Sequence, residues 1–466
     1  MGKRPNLVFI LADQLRAASL PLGGERQIAT PNLDRLAGDG VTLTNAVSSC
    51  PVCTPYRSML LTGRYPQQTG HLINFVRTRH DEISLGDAFA RAGYRTSWIG
   101  KWHLHTGSFP QIQGPDYVPE GRDRLGFEHW RGYNFHCTYF DGWVNVDDWR
   151  NEQWSGYETD ALNRYGFEFI DAAGDEPFCA FLSPHQPHAT GGAYAPDHCY
   201  DRLPERLELP ANVLAPNEGG GQTPREMYRH YLAMTVALDD MVGQMLDYLD
   251  ARGLTEDTLV VFTSDHGTQA GAHGIEPWMK KMPYEESLLV PFVMRWPGVL
   301  DGGVRRDALT SPVDIFPSLC SLCGVPIPRT VVGRDLSAAW AGADGATGRE
   351  DVLCMNFGGA YDYLVDGTEW RAVRTADRIF TRWLDGREEL FDLRADPLQM
   401  DNLAARDRPS RDRLNARLAE LMAEIDDELV PCTAYRDWFD AQRRVVRNAS
   451  GPLPDPEAQP DWSLLA

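Results

Sequence analysis

Four predicted strands, each followed by polar residues, constrain the fold of this chain more than any other feature. Residues 7–12 form a continuous apolar run, which is typical of a strand buried on both faces of a parallel sheet. The predicted strands and the polar residues after them are residues 7–12 with Asp13 and Gln14, residues 94–99 with Lys101 and His103, residues 178–182 with His185 and His188, and residues 259–264 with Asp265 and His266. Because the carboxyl ends of parallel strands meet at one edge of a sheet, we expect these side chains to form one site.

The segments between the strands predict helices, so the fold class is expected to be α/β, with a mostly parallel sheet flanked by helices. The expected helices are residues 30–37, 84–92, 225–249 and 314–323, where capping residues or amphipathic patterns occur. Residues 105–160 are rich in Gly, Pro and aromatic residues and show no periodicity. They predict long loops over the site.

The pattern changes near Asp351, and 466 residues exceed one ordinary domain. The elements expected after this point are short antiparallel strands at residues 363–374 and 378–383 and a helix at residues 411–427. We therefore predict a catalytic domain over residues 1–350 and a smaller C-terminal α+β subdomain over residues 351–466. The Pro-rich stretch from Leu453 predicts an extended tail.

The composition bears on partners and location. A net charge of −21 argues against nucleic acid or an anionic membrane as the main partner, so an anionic substrate would need a locally basic pocket. The nine cysteines are odd in number and scattered, unlike a secreted disulfide framework. No apolar run reaches membrane-spanning length, and Asp13 interrupts the N-terminal run before it resembles a signal peptide. We expect a cytoplasmic protein and leave its oligomeric state open.

The segment around Cys53 predicts a helix with a reactive first residue. Thr54 and Pro55 are typical of a first helical turn, and Gly63 is typical of a helix end. A cysteine at a helix N-terminus lies near free backbone N–H groups, which favour an anion and lower a thiol pKa. Two other interpretations are open at this point. Cys53 could be a small buried hydrophobic residue, or it could form a C-x-x-C redox pair with Cys50.

The same segment resembles the signature of the type I sulfatases, members of the alkaline-phosphatase-like superfamily. Cys53, Pro55 and Arg57 form C-x-P-x-R, and residues 61–64 complete the pattern with Leu-Thr-Gly-Arg. The resemblance implies the superfamily fold and hydrolysis of sulfate monoesters. It also implies that a formylglycine-generating maturation enzyme oxidises Cys53 to Cα-formylglycine (3-oxoalanine). The hydrate of that aldehyde is the nucleophile, and Arg57 orients it.

Asp13, Gln14, Asp265 and His266 are the candidate metal ligands. Acids at strand ends often cap helices, but two such pairs favour a metal, and oxygen-rich ligation suits Ca²⁺, Mg²⁺ or Mn²⁺ better than Zn²⁺. The resemblance implies that these four residues hold a single divalent ion, usually calcium, which also contacts the formylglycine at position 53. Gln14 and His266 depart from the Asp and Asn found in many family members, and the imidazole leaves manganese open.

Lys101 and His103 match the Gly-Lys-x-His motif that holds the sulfate in the same family. A lone lysine is usually a solvated charge, but this one follows a buried strand and lies two residues before a histidine. The resemblance further implies that His103 removes a proton when the aldehyde is regenerated.

The remaining candidates are a histidine and a lysine whose positions each have a neighbouring alternative. Pro187-His188 matches the Pro-His of the family, so His188 is preferred to His185. Lys280 precedes Tyr-Glu-Glu with the family spacing, although Lys281 is an alternative. The resemblance implies that His188 or Lys280 protonates the leaving alcohol.

These residues predict a sulfatase that releases an alcohol and inorganic sulfate from a small-molecule or carbohydrate sulfate ester. The nearest alternative is a phosphonate monoester or phosphodiester hydrolase of the same superfamily, which shares the formylglycine and the metal set. Lys101 favours sulfate, because the resemblance puts neutral residues at that position in phosphonate hydrolases. A thiol oxidoreductase that uses Cys50 and Cys53, or a non-catalytic anion-binding protein, would belong to other classes.

Overall fold

A computed structural model gives the structure of residues 4–106, 117–146, 150–189, 192–213, 223–359 and 364–465. These described residues form a ten-stranded sheet covered by helices on both faces, together with a smaller antiparallel sheet. The strands of the large sheet are β1 (Asn6–Ala12), β2 (Val41–Leu43), β3 (Arg95–Lys101), β4 (His129–Tyr133), β5 (Trp143–Asn145), β6 (Asn151–Gln153), β7 (Phe178–Ser183), β8 (Thr258–Ser264), β9 (Phe292–Arg295) and β10 (Val304–Arg306).

The four strands predicted to end at one site are β1, β3, β7 and β8, and they are neighbours in the middle of this sheet. The strand order is β10-β2-β9-β8-β1-β7-β3-β4-β5-β6. Strand β1 pairs in parallel with β7 and β8, and β3 pairs in parallel with β7. In register, Ala12 lies beside Ser264 and Gly100 beside Ser183, so the carboxyl ends of these strands end at the same edge. The polar residues that follow them are therefore brought together, as the sequence predicts.

Helices cover both faces of the sheet. They are α1 (Pro31–Gly38), α2 (Cys53–Thr62), α3 (Pro66–Thr69), α4 (Leu85–Arg91), α5 (Glu158–Ala173), α6 (Asp197–Tyr200), α7 (Pro224–Ala251), α8 (Glu285–Leu288), α9 (Pro312–Cys323), α10 (Ser337–Ala341) and α11 (Arg408–Ala423). Val8 and Ile10 of β1 pack in a core with α1, α5 and α7. Leu7, Phe9 and Leu11 pack on the other face with α2, α4 and α9. This double burial explains why residues 7–12 of the strand are all apolar, and the predicted α/β fold class is confirmed.

The smaller sheet is antiparallel and begins at Asp351. Its strands, in spatial order, are β11 (Asp351–Phe357), β12 (Glu369–Thr375), β13 (Arg378–Trp383) and β14 (Glu388–Asp392), and α11 packs against it. A short ladder of β15 (Arg447–Asn448) and β16 (Gly451–Pro452) follows. The strand predicted over residues 363–374 begins only at Glu369, and residue 363 lies outside the described residues. The division at residue 350 stays a prediction.

The loops predicted over residues 105–160 are partly wrong. Strands β4, β5 and β6 lie in this segment and extend the large sheet at one edge. These strands are only three to five residues long, too short for alternation to be visible in the sequence. Residues 107–116 and 147–149 lie outside the described residues. Among the helices that the structure describes, none has the length and apolar character needed to cross a membrane.

Candidate active site

Cys53 is the first residue of α2, and its sulfur lies among side chains from several strand ends. Cys53 Sγ is 3.2 Å from His266 Nε2 and 3.9 Å from Asp13 Oδ1. Two ammonium groups also reach it, with Lys280 Nζ at 3.0 Å and Lys101 Nζ at 3.6 Å. All five side chains are buried. A buried helix N-terminus with two cations beside it is suited to binding an anion.

Two of the side chains around Cys53, Asp13 and His266, also belong to a cluster of possible metal ligands. Asp13, Cys53, Asp265 and His266 present ligand atoms that all lie within 4.8 Å of one another. His266 Nδ1 donates to the carbonyl oxygen of Gly267 at 2.9 Å, so the lone pair on Nε2 faces the cluster. A backbone partner on the other ring nitrogen is the usual arrangement for a metal-bound histidine. Two buried carboxylates and a neutral imidazole therefore fit a divalent cation.

Gln14 is held beside this cluster by its backbone and its amide. Its backbone N–H donates to Asp265 Oδ1 at 3.0 Å. Its side-chain Nε2 donates to Thr268 Oγ1 at 3.0 Å and to the carbonyl oxygen of Trp278 at 2.8 Å, so Oε1 is the amide atom that could bind a cation. The φ of Gln14 is 67°, in the left-handed region that residues other than glycine rarely adopt outside special sites.

The charges of the cluster offset one another. Burial alone would raise the pKa of Asp13, but the charge of Lys101, with those of other nearby cations, holds this pKa well below its usual range. Burial, followed by the negative charge of Asp13, raises the pKa of Asp265 to about 6. Burial lowers the pKa of His266 to about 4, so its imidazole is neutral at pH 7. A bound cation would relieve the repulsion between the two carboxylates.

Arg57 joins the helix to both carboxylates. It is fully buried, and Nη2 is 3.2 Å from Asp13 Oδ2 and 3.1 Å from Asp265 Oδ2. Its Nη1 donates to the carbonyl oxygen of Lys101 at 2.9 Å and to Ser183 Oγ at 2.8 Å. Residues four apart lie on one face of a helix, so the C-x-P-x-R spacing places this guanidinium one turn behind Cys53.

The structure separates the two lysines that the sequence left as alternatives. Lys280 Nζ lies at Cys53 Sγ, whereas Lys281 Nζ donates to the carbonyl oxygen of Gly359. Lys101 Nζ is 2.5 Å from Asp13 Oδ2. Lys101 and Lys280 are therefore the two lysines of the described residues that contact Cys53 Sγ.

His103 lies between two aromatic rings at the start of α2. Its ring centroid is 4.7 Å from that of Phe75 and 4.8 Å from that of Phe135. Thr54 Oγ1 donates to its carbonyl oxygen at 2.6 Å. Both ring nitrogens are buried and have no hydrogen-bond partner among the described residues. Burial, followed by the charge of Lys101, lowers the pKa of His103 well below its usual value, so the ring is a neutral proton acceptor.

His185 and His188 both lie at the site, and their ring centroids are 4.8 Å apart. His185 Nδ1 donates to the carbonyl oxygen of His136 at 2.5 Å, and its Nε2 accepts from Lys101 Nζ at 3.0 Å. His188 is partly exposed, and its Nδ1 donates to the carbonyl oxygen of Ala189 at 2.8 Å. His185 thus positions Lys101, and His188 lies nearer to solvent.

Comparisons with known proteins identify the family. The sequence profile described as Sulfatase matches residues 5–325, and the profile described as N-sulphoglucosamine sulphohydrolase, C-terminal, matches residues 271–428. The chain belongs to the sulfatase family. It is 37% identical to an ulvan-active sulfatase of Formosa agariphila, over 99% of this chain and 88% of that relative. It is 25% identical to an N-acetylglucosamine-6-O-sulfatase of Bacteroides thetaiotaomicron, over 96% and 91% of the two chains.

A solved structure of a candidate sulfatase, yidJ of Bacteroides fragilis, has the same fold. It superposes with a TM-score of 0.82 at 27% identity and covers 93% of this chain and 98% of its own. The predictions that this chain is a sulfatase, and an enzyme that acts on sulfate esters, are confirmed.

A cavity of about 380 Å³ in this sulfatase is lined by Lys280, whose ammonium contacts Cys53 Sγ. Its walls include Gln14, His103, His188 and Lys280 of the predicted set, and also Asn74, Phe75, Phe135, Ala189, Glu276 and Trp278. The aromatic walls were not predicted from the sequence, because Phe75, Phe135 and Trp278 come from three separate segments. The aromatic richness of residues 105–160 was the one available signal, and of the three it covers only Phe135.

The redox interpretation of Cys50 and Cys53 finds no support in the geometry. None of the nine cysteines is in a disulfide. Cys50 is fully buried in an apolar cluster with Met59 and Leu353, and burial raises the pKa of its thiol above the usual range. A thiol kept protonated in this way is a poor redox partner.

Proposed function

We propose that this sulfatase hydrolyses a sulfate monoester of a carbohydrate, with a formylglycine formed from Cys53 as the nucleophile. One divalent cation would be held by Asp13, Gln14, the residue at position 53, Asp265 and His266. The convergence of two lysines, two carboxylates and one imidazole on Cys53 Sγ is the observation that supports the proposal most directly. Calcium is the first choice for an oxygen-rich set, with manganese second because of His266, and magnesium a further alternative.

Cys53 Sγ stands for the oxygen of the aldehyde hydrate in this proposal. A maturation enzyme would supply the oxidation of Cys53 during biosynthesis. The cation, when bound, would polarise the sulfate oxygens and lower the pKa of the hydrate. Arg57, held by both carboxylates, would fix the orientation of the hydroxyl that attacks sulfur.

The basic side chains would bind the sulfate and move the protons. Lys101 and Lys280 would neutralise the sulfate oxygens, since both ammonium groups lie within 3.6 Å of Cys53 Sγ. Lys280 or His188 would donate a proton to the leaving alcohol as the sulfur–oxygen bond breaks. The neutral His103 would then accept a hydroxyl proton from residue 53, so that the carbonyl reforms and inorganic sulfate leaves.

The carbohydrate part of the proposal is supported by the relatives and by the cavity. Two relatives are named for ulvan and for N-acetylglucosamine. Phe75, Phe135 and Trp278 line the cavity, and aromatic faces suit the apolar faces of sugar rings. Its volume is sufficient for one sugar ring carrying the sulfate.

Mass spectrometry of the peptide that contains residue 53 tests the nucleophile. After co-expression with a formylglycine-generating enzyme, we expect the aldehyde form of residue 53. Cys53→Ala is expected to abolish turnover and leave the circular dichroism spectrum unchanged. Cys50→Ala is the matched control. If it were as inactive as Cys53→Ala, the redox interpretation would return.

A matched substrate series tests the reaction class. We expect kcat/KM to be highest on sulfated monosaccharides, lower on an aryl sulfate, and lowest on an aryl phosphonate and an aryl phosphodiester. A phosphonate or diester preferred over every sulfate ester would overturn the assignment. An aryl sulfate preferred over every sulfated sugar would overturn only its carbohydrate part.

A further inference from the structure

The described residues contain three groups of His, Cys and carboxylate side chains close enough to share one metal ion. One is the cluster at Cys53. The second is Cys137 with His185 and His188. A cation there is disfavoured, because Lys101 Nζ is already 3.0 Å from His185 Nε2. The third group consists of His198, Cys199 and Asp240 and has no part in the proposed reaction.

This third group joins α6 to the long helix α7. His198 and Cys199 lie on α6, and Asp240 lies on α7. His198 Nε2 is 3.4 Å from Asp240 Oδ2 and 3.4 Å from Cys199 Sγ. A single Nε2–H cannot donate to both neighbours, and 3.4 Å is longer than the roughly 2.7–3.2 Å of an ordinary N–H···O bond.

Two of the three ligand spacings, both measured from His198 Nε2, match those around zinc. Zn–N and Zn–O bonds of about 2.0–2.1 Å and a Zn–S bond of about 2.3 Å place neighbouring atoms of a tetrahedron about 3.3–3.6 Å apart. The donor set of one sulfur, one nitrogen and one oxygen is softer than the oxygen-rich set at Cys53. Such a set favours Zn²⁺ over Ca²⁺ or Mg²⁺.

The carboxylate of Asp240 is already oriented for this role. Its Oδ1 accepts from Arg202 Nη1 at 2.6 Å, so Oδ2 is the oxygen that faces His198. Hydrogen bonds of this kind fix ligating carboxylates in metal sites. The same contact weakens the attraction of Asp240 for a cation, because Arg202 offsets part of its negative charge.

A cavity next to the group supplies further carboxylates and room for water. It measures about 370 Å³, and Asp160, Asp247, Asp240 and His198 are among the residues that line it. No Lys or Arg is among its described lining residues. Asp247 is paired with Arg35 at 2.8 Å, which leaves Asp160 as the carboxylate there without an ion pair in the described part of the chain.

We propose that His198, Cys199 and Asp240 bind one Zn²⁺, with water from this cavity as the fourth ligand. Binding converts the Cys199 thiol to a thiolate, and its proton goes to solvent. The ion would tie residues 192–213, which follow the segment carrying His185 and His188, to α7. Its role is structural and independent of the chemistry at Cys53.

Cobalt and zinc titrations of the full chain, with the centre at Cys53 first saturated with Ca²⁺, test the proposal. Co²⁺ bound to a thiolate gives a charge-transfer band in the near ultraviolet. We expect this band in the wild type and in Cys53→Ala. We expect it to be lost in Cys199→Ser and in His198→Ala. The side chain of His198 is 63% exposed, so its replacement is compatible with folding.

Zinc binding is measured by calorimetry and by the melting temperature. We expect about one Zn²⁺ per chain and a raised melting temperature in the wild type, and neither effect in His198→Ala. Cys137→Ser is the control for the second group and is expected to behave like the wild type. The proposal is wrong if the wild type shows no band, if the band survives Cys199→Ser, or if it is lost in Cys137→Ser.

Discussion

Replacing Lys280 by Met tests which side chain protonates the leaving alcohol. Lys280 is buried, and its Nζ lies 3.0 Å from Cys53 Sγ. An ammonium about 4 Å from the developing alkoxide contributes about 4 kcal/mol at an effective dielectric constant of about 20. Since about 1.4 kcal/mol corresponds to a factor of ten in rate, we expect kcat/KM on a sugar sulfate to fall by about 10³.

The structure favours Lys280 over His188 as the proton donor. Burial, followed by the charge of Lys280, lowers the pKa of His188 well below its usual value, so this imidazole carries no extra proton at pH 7. A proton donor matters most for a poor leaving group. We therefore expect Lys280→Met to lose much less activity on a nitrophenyl sulfate than on a sugar sulfate.

The assay compares kcat/KM of each variant on these two substrates. His188→Gln is expected to lose the same factor on both. Lys281→Met is the matched control, because the Lys281 ammonium is directed to the Gly359 carbonyl, and it is expected to stay close to the wild type on both. Equal losses on both substrates for Lys280→Met would show that Lys280 only binds sulfate. A selective loss in His188→Gln would assign the proton to the histidine.

Three further predictions concern metal, stability and pH. Chelation is expected to abolish turnover, with recovery on adding back Ca²⁺ or Mn²⁺. It is also expected to lower the free energy of unfolding by about 2.7 kcal/mol, if the free metal concentration before chelation was about 100 times its Kd. Unchanged activity would contradict the metal assignment. In urea titrations of the metal-free protein, Arg57→Met is expected to lower the free energy of unfolding by about 3–5 kcal/mol, because Asp13 and Asp265 lose a buried cationic partner. A loss under about 1 kcal/mol would contradict this. Burial raises the pKa of Glu158 from 4.5 to about 7, so its contribution to stability is full below about pH 4.5 and falls by about 3 kcal/mol as the pH rises through about 7. Glu158→Gln should flatten that dependence, and an unchanged slope would refute the reasoning.

The parts of the fold that the sequence predicts are those with a strong local pattern. Strands β1, β7 and β8 are buried over their whole length and are mostly apolar, so they could be located without any structure. The helix predicted over residues 225–249 agrees with α7 to within two residues at each end, because an amphipathic pattern is a local signal. Strands β5 and β6 have three residues each, and their pairing is decided by contacts with β4 that no local pattern records.

The residues of the candidate site also differ in whether a local sequence pattern predicts their position. Arg57 follows Cys53 by one helical turn, so the motif spacing alone indicates that both side chains lie on one face. The choice between Lys280 and Lys281 depends on the folded backbone. Lys281 has a φ of 73°, and its ammonium donates to the carbonyl oxygen of Gly359 and not to Cys53. Two identical neighbouring residues carry no signal of this difference in the sequence.

His185 shows why a strand-end pattern predicts presence but not role. The polar residues after β7 were expected at the site, and both histidines are there. Which of them holds Lys101 depends on the hydrogen bond from His185 Nδ1 to the carbonyl of His136, a residue 49 positions earlier in an irregular segment. That bond fixes the lone pair of Nε2 toward the ammonium and leaves His188 at the edge of the cavity. A residue's place at the sheet edge thus follows from the strand that precedes it, whereas its chemical role follows from partners that only the folded chain supplies.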